Sequence, residues 1–354
     1  MNTPIRVALA SYGMSGRVFH APLLAQHPHF SIRRILRRSG SGPMPDDPGV
    51  RISTAYEELL ADPDVDLIVV NTPDRFHYAM AKQALEAGKH VVVEKPFTQT
   101  VEQGLELIRL AEARQLLLTV FQNRRWDSDF LTVRKVIEEQ LLGTLVEFES
   151  HFDRYRPLIN RSSWKERSET GVGAVNNLGS HMIDQALILF GMPHAVTAHT
   201  AMVRPESEVE DWYDIRLHYP SVRVCLRSTY LARELGPRYT LHGTLGSFLK
   251  YGMDIQEAAL TEGLLPGTPD WGREPEAQRG LLHTERNGSV VREFFETLPG
   301  NYMAFYDSVY ETLVHGAPVA VRAEEALDVI RIITAVHQSA DERRTIPIDP
   351  HALR

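Results

Sequence analysis

Three groups of residues have the types and spacing for chemistry on a small polar molecule. The first is the turn Ser11-Tyr12-Gly13-Met14-Ser15-Gly16. It matches the dinucleotide pattern G-x-G-x-x-G, with Ser11 at the first glycine. Gly13 lets backbone approach a pyrophosphate, Gly16 lets a helix pack on a strand, and the helix N-terminus faces the anion. The second is Val91-Val92-Val93-Glu94-Lys95-Pro96, a β-branched run broken by a charged pair and a proline. A lysine just past the carboxyl end of a buried strand stands where open α/β sheets bind ligands. Alone, Lys95 also fits a solvated strand-end lysine. The third is Asn177, His181 and Asp184, which share one face if their segment is helical. A lone histidine there is more often structural.

Two further segments belong with the turn. Leu36-Arg37-Arg38-Ser39 closes the second strand, where an NAD site presents Asp or Glu to the ribose hydroxyl. Guanidinium forks suit a phosphate instead, so Arg37, Arg38 and Ser39 favour NADP, with NAD the alternative and surface arginines the plain one. Thr72 and Pro73, after a buried strand and at the opening of a helix, would lie against the cofactor or form a simple helix start.

The elements that must position these residues alternate. Strands are expected at Ile5–Ala10, Phe30–Leu36, Asp66–Asn71, Val91–Val93 and Leu116–Phe121. Helices are expected at Ser15–Gln26, Tyr56–Ala61 with Thr54 as N-cap, His77–Ala87 closed by Gly88, and Val101–Arg114. Such alternation predicts a parallel sheet with right-handed crossovers. Near residue 123 the pattern changes. After a helix at Phe130–Gln140, Leu145–Asp153 alternates, with Val146, Phe148 and Phe152 on one face and Glu147, Glu149, His151 and Asp153 on the other. That is a half-solvated strand of antiparallel type. Strands follow at Ala195–Met202, Trp212–His218, Val222–Tyr230, Tyr239–His242 and Ser247–Lys250. Glu262–Glu276 reads as a surface loop, and helices return at Met303–His315 and Ala323–Glu342. The division expected is a Rossmann domain over 1–122 and an α+β domain with a large, mostly antiparallel sheet over 123–354, the last helices packing back on the first domain.

With 354 residues, two domains are the prior. A net charge of −8 and no basic run argue against nucleic acid or an anionic membrane as partner. No apolar run approaches a membrane span, and no signal-peptide core precedes the first strand. The single cysteine, Cys225, excludes a disulfide within the chain and fits a cytoplasmic setting. It reads as a packed strand residue. No His or Cys cluster has metal-ligand spacing.

Together the Gly13–Gly16 turn, Thr72-Pro73 with His77, Glu94-Lys95-Pro96 and Gly179-Ser180-His181 resemble the Gfo/Idh/MocA family of nicotinamide-dependent oxidoreductases. Val18-Phe19-His20-Ala21-Pro22-Leu23-Leu24, Asn123-Arg124-Arg125-Trp126-Asp127, Arg154-Tyr155-Arg156-Pro157 and Arg343-Arg344-Thr345-Ile346-Pro347 are similar to its NADP-dependent inositol dehydrogenase branch. The resemblance implies a homodimer through the second sheet and a cis Lys95-Pro96 peptide. It also implies that Lys95 contacts the reacting hydroxyl and that His181 is the general acid/base. Trp164 and Asn123 would line the nicotinamide pocket, and Tyr302 would reach the substrate. The cofactor set it implies is Tyr12, Gly13, Met14, Ser15, Gly16, Arg37, Arg38, Ser39, Thr72, Pro73, His77, Glu94, Lys95, Asn123 and Trp164.

One departure matters. The family's motif before the histidine is Asp-x-Gly-x-His, and this chain has Asn177 at the aspartate. Asparagine holds a hydroxyl but cannot relay a proton. Asp153 or Asp184 is the candidate to supply the missing carboxylate. The function expected is hydride transfer between NADP and a cyclic polyol or sugar-like substrate. The alternatives are a non-catalytic NADP sensor and a reductase of another carbonyl compound.

Overall fold

The computed structural model describes residues 4–37, 47–161, 163–168 and 172–349. The chain divides into two compact units. The first comprises Met1–Asn123, Gln256–Trp271 and Asn301–Leu327; the second comprises Arg124–Ile255, Gly272–Gly300 and Asp328–Arg354.

The first unit begins with β1 (Ile5–Leu9), a π-helical turn at Gly16–His20, α1 (Ala21–Gln26), β2 (Phe30–Leu36), β3 (Arg51–Ser53) and α2 (Glu57–Ala61). It continues with β4 (Leu67–Val70), α3 (His77–Glu86), β5 (His90–Val93), α4 (Val101–Arg114) and β6 (Leu118–Val120). Six strands form one sheet in the order β3-β2-β1-β4-β5-β6, with every pairing parallel. Leu67 to Val70 and Val91 to Val93 are wholly buried. Helices cover both faces of such a sheet, so its strands read as unbroken apolar runs. The strand order reverses between β1 and β4. The crevice at their carboxyl ends is the topological switch point, where open α/β sheets bind ligands. The loops Ser11–Gly16 and Asn71–Asp74 leave the sheet at that point.

The second unit holds α5 (Ser128–Glu138), β7 (Leu145–His151), a π turn at Val175–Gly179 running into α6 (Ser180–Phe190), β8 (Ala195–Ala201), β9 (Trp212–His218), β10 (Arg223–Thr229), β11 (Tyr239–Gly243) and β12 (Gly246–Lys250). α7 (Gln256–Thr261) and α8 (Met303–His315) belong to the first unit; the second continues with the hairpin β13 (Gly280–Arg286) and β14 (Ser289–Phe295), most of α9 (Ala323–Glu342) and β15 (Ile346–Pro347). Nine strands form a sheet in the order β14-β13-β12-β11-β7-β10-β9-β8-β15. Only β7 and β10 pair in parallel. The fold is therefore the expected one: a parallel Rossmann sheet, then a large, mostly antiparallel sheet.

Four local expectations change. Thr54 does not cap α2; its N–H, with that of Ala55, donates to the Glu58 carboxylate at 3.1 Å, so the cap reaches back from inside the helix. Val146 is 45% exposed while Phe148 and Phe152 are buried. It lies opposite the register shift between His242 and Gly243, outside the regular pleat. The helix expected at Ser15–Gln26 splits into a π turn and α1. The hairpin β13–β14 arises from sequence not read as strands; its turn, Asn287-Gly288, has φ of 53° and 77°. Cys225 lies on β10, half-buried, and burial pushes its thiol pKa up.

Candidate functional site

Each unit carries its own cluster. In the first, the glycine turn leaves β1 and enters the π turn Gly16–His20. A side chain at Gly16 would meet the Ser11 carbonyl oxygen at 2.5 Å and Asn71 Nδ2 at 2.8 Å. Glycine is therefore required by close approach. Asn71 Nδ2 donates to that same carbonyl at 2.9 Å, tying the two switch-point loops together. Gly13 and Met14 are exposed, and Tyr12 and Ser15 are partly so, leaving the turn backbone open to a ligand. Among the described residues, Asn71 Oδ1 and Thr72 Oγ are buried and accept or donate no hydrogen bond. Buried polar atoms are normally satisfied, and these two would be by a polar group bound at the turn. The switch-point turn and the orphaned atoms fit a dinucleotide. Arg37 follows β2, its N–H donating to the Ser53 carbonyl at 2.8 Å. Arg38 and Ser39 lie outside the described residues.

Lys95 follows β5, and the Lys95-Pro96 peptide is cis. The residues on either side of the lysine are clamped. Before it, Glu94 Oε1 accepts from Ser15 Oγ at 2.5 Å and from His20 Nε2 at 3.1 Å, and Glu94 Oε2 accepts the Lys95 N–H at 3.1 Å. Burial pushes the Glu94 carboxyl up. The His20 hydrogen bond and charge, the Ser15 hydroxyl and the Lys95 charge outweigh burial and hold it at about 2. After it, the Pro96 carbonyl meets His77 Nδ1 at 2.9 Å, and the other ring nitrogen of His77 meets the Thr72 carbonyl at 2.9 Å. His77 is buried, so it touches the Thr72-Pro73 loop through backbone. Asn123 is buried in the turn that ends this unit's first segment. Tyr302 is wholly buried, its ring centroid 6.2 Å from that of Phe19 and its N–H donating to Gln256 Oε1 at 2.8 Å.

In the second unit, the segment with Asn177 and His181 is helical from Val175, which meets the condition for their shared face. It begins, like the glycine turn, with a π turn, a feature frequent at functional sites. Glu210 steadies its start, Oε1 accepting the Val175 N–H at 3.3 Å, and burial pushes this carboxyl up. His181 is 6% exposed. Asn177 is half-buried, and its Oδ1 accepts from Lys165 Nζ at 3.2 Å. Trp164, half-buried, is beside that lysine, whose ammonium is 5.7 Å from the indole.

The two carboxylates proposed to replace the missing one have other work. Asp184 accepts two hydrogen bonds from Arg125, at 2.9 and 2.7 Å, in a buried fork. Asp153 accepts the Thr229 N–H at 2.9 Å and meets His151 Nδ1 at 3.1 Å. Both carboxylates are thus already hydrogen-bonded within the second unit. Sequence reasoning also passed over Lys165 at Asn177, and gave His20 no role of its own. Neither belongs to a recognisable spacing; contact alone reveals them. Among the described residues no group of three or more His, Cys, Asp or Glu is placed to hold a metal, and no helix is long and apolar enough to cross a membrane.

Known proteins place this geometry. Residues 5–122 match the NAD-binding Rossmann fold of an oxidoreductase family, and residues 134–348 match the C-terminal alpha/beta domain of the same family. The chain is 39% identical to the NADP(+) scyllo-inositol 2-dehydrogenase IolW of Bacillus subtilis, over 98% of this chain and 96% of that protein. It is 41% identical to the uncharacterized oxidoreductase YdgJ of Escherichia coli, over 98% and 99%. A crystal structure of a putative oxidoreductase from Bacteroides fragilis superposes with a TM-score of 0.90 at 49% identity, covering 98% of this chain and 100% of that one. With a glycine turn at the switch point, Lys95 after β5, His181 on α6 and both domains matched in order, the chain belongs to the Gfo/Idh/MocA family of oxidoreductases.

Proposed function

We propose that this oxidoreductase transfers hydride between NADP and the CH–OH or C=O carbon of a cyclic polyol or sugar-like substrate of inositol type. The observation that carries the reading is the similarity to a scyllo-inositol 2-dehydrogenase across nearly the full length of both chains.

A bound nicotinamide would supply the hydride chemistry of this reaction. Tyr12 to Gly16, Thr72, Pro73 and Asn123 hold the dinucleotide in this proposal, Trp164 lines the nicotinamide, and Arg37 meets the 2′-phosphate. His77 and Glu94 act on it through the loops they clamp. Lys95 donates to the reacting oxygen and stabilises its developing negative charge. His181 takes the hydroxyl proton in oxidation and returns it in reduction. Asn177 holds a substrate hydroxyl, with Lys165 orienting its amide oxygen. Without a carboxylate at Asn177, the imidazolium of His181 lacks a stabilising anion there, which favours carbonyl reduction over polyol oxidation. Asp153 and Tyr302 remain substrate-binding candidates on the family's pattern. A homodimer through the nine-stranded sheet is part of the same proposal.

The test is NADPH oxidation with inososes and keto sugars, and NADP reduction with inositols and sugars, with Lys95→Ala as control. Turnover on a cyclic substrate, lost in the control, is expected. Tight NADPH binding with no turnover across the panel would overturn the substrate class. Equal or tighter NAD binding would overturn the cofactor preference.

A further inference from the structure

His20 comes from the segment Val18–Leu24, to which the reading above gives no role of its own. Its side chain is wholly buried. The ring packs 4.4 Å from the Phe121 ring centroid, tilted by 50°, and its Nδ1 meets the Tyr306 hydroxyl at 2.7 Å. Tyr306 is itself fully buried in α8 and packed edge-on against Phe30 and Phe305. The imidazole is therefore fixed in place and direction. Its other nitrogen, Nε2, points at Glu94 Oε1. An ionised carboxylate only accepts, so Nε2 carries the proton. The same oxygen takes the Ser15 hydroxyl from the glycine turn, and the second oxygen takes the Lys95 N–H. One carboxylate thus joins the loop after β1 to the peptide of the lysine after β5. The groups charged or titrating against it are His20 from the π turn and Lys95 from its own loop, with Tyr306 of α8 behind the imidazole.

We propose that His20 is a positioning residue for the reaction: through Glu94 it holds Lys95 in register with the nucleotide turn. The inference rests on the reading of Lys95 as the lysine that meets the reacting oxygen. Its logic is that of an oriented second partner. Of the three donors on this carboxylate, His20 is the one held rigidly from behind by buried packing and the Tyr306 hydroxyl, so it fixes the direction of the other two. Without His20, Glu94 keeps the Ser15 hydroxyl and the Lys95 N–H but loses its one rigidly held donor. It then takes up a proton or turns toward water, and the Lys95 peptide loses its fixed acceptor. His77 braces the far side of the lysine through the Pro96 carbonyl and remains in place.

The experiment compares His20→Leu, His20→Gln, Glu94→Gln and the double variant His20→Leu/Glu94→Gln in the full chain. Groups that act as a unit are non-additive. His20→Leu and Glu94→Gln should each lower kcat about ten-fold or more, with substrate KM changed less than about three-fold, and the double variant should be no slower than the worse single one. His20→Gln, whose amide can donate to Glu94, should recover most of the loss. Losses that add in the double variant, or a glutamine no better than leucine, overturn the proposal. A second readout needs no turnover and separates this inference from the assignment of substrate. Nitrogen-15 NMR of the chain alone should find the His20 proton on Nε2, with a resonance that moves in Glu94→Gln and stays in Lys95→Ala. A proton on Nδ1 alone, or no response to Glu94→Gln, overturns the coupling whatever the substrate proves to be.

Discussion

The side-chain amide of Asn71 donates to the main-chain carbonyl of Ser11 at 2.9 Å, bridging the loops that follow β4 and β1. Gly16 lies under this bridge. A methyl group there would come within 2.5 Å of the Ser11 oxygen and 2.8 Å of the Asn71 amide. One of those atoms is backbone and the other is held by it, so neither yields cheaply. Gly16→Ala should therefore destabilise the chain by about 1–3 kcal/mol, the usual cost of overpacking. It should also weaken NADPH binding at least about ten-fold, since the turn must open to relieve the clash. Urea unfolding and NADPH fluorescence titration check both. An alanine variant with native affinity would show that the turn adapts.

Arg37 tests the cofactor preference. It stands one residue beyond β2, where the adenosine ribose of a dinucleotide comes in this topology. A guanidinium–phosphate bond is charge-assisted and worth about 1.5–3 kcal/mol. Arg37→Ala should weaken NADP binding by about ten-fold or more while leaving NAD within two-fold or so. Calorimetric titration of both nucleotides measures the difference directly. Equal losses for both would assign Arg37 to general folding of the loop.

Asn177→Asp restores the family's carboxylate one turn before His181. It also gives Lys165, at 3.2 Å, an anion to pair with. A new negative charge favours the imidazolium, so the acidic limb of kcat/KM for polyol oxidation should move to higher pH. Above that limb, kcat for oxidation should rise by roughly ten-fold if His181 accepts the hydroxyl proton as proposed, because that proton is then better stabilised. If the limb stays and the rate falls, Asn177 is fitted to a different substrate and the loss of the carboxylate is not a defect.

Much of this site could be read from the chain because its parts are local. The turn from Ser11 to Gly16, the run into Lys95 and the helix at His181 each occupy one stretch, with strand and helix periods setting their ends. The bounds of α4, α8 and α9 were legible for the same reason. What stayed hidden depends on contact across long separations. Nothing in the spacing of His20, Glu94 and Tyr306 marks them as one chain of hydrogen bonds. Nor does it show that Arg125 occupies both oxygens of Asp184. The hairpin β13–β14 differs, because its signal was present. Asn287-Gly288 is the dipeptide that a two-residue hairpin turn prefers. Its strand β14 carries its apolar residues in adjacent pairs, Val290-Val291 and Phe294-Phe295, and is largely exposed, so the apolar alternation that identifies a strand is weak there.

The fork between Arg125 and Asp184 gives a stability prediction. Both groups are buried, and removing one charge takes a charged partner from the other. Asp184→Asn should destabilise the chain by about 3–5 kcal/mol, whereas Arg125→Met with Asp184→Leu should cost clearly less than that. Urea melts of the three proteins decide it. A single variant near native stability would mean that water reaches the guanidinium, and that Asp184 is available for another role.

Glu94 gives a pH prediction with a definite sign. Its carboxyl is held at about 2, below its ordinary 4.5, so the ionised form is the one the fold binds. A depressed folded-state pKa contributes stability above the unfolded value, and that stability is lost as pH falls from about 4.5 toward 2. The shift corresponds to about 3 kcal/mol at neutral pH, as an order of magnitude. Glu94→Gln cannot titrate. Native minus variant stability should therefore be largest and flat near pH 7 and about 1 kcal/mol smaller by pH 4. Urea unfolding at pH 7, 5 and 4 measures the difference, and global acid effects cancel between the two proteins. A gap that widens toward acid would reverse the sign. It would mean that the fold holds Glu94 protonated, with the proton on the oxygen that His20 and Ser15 share.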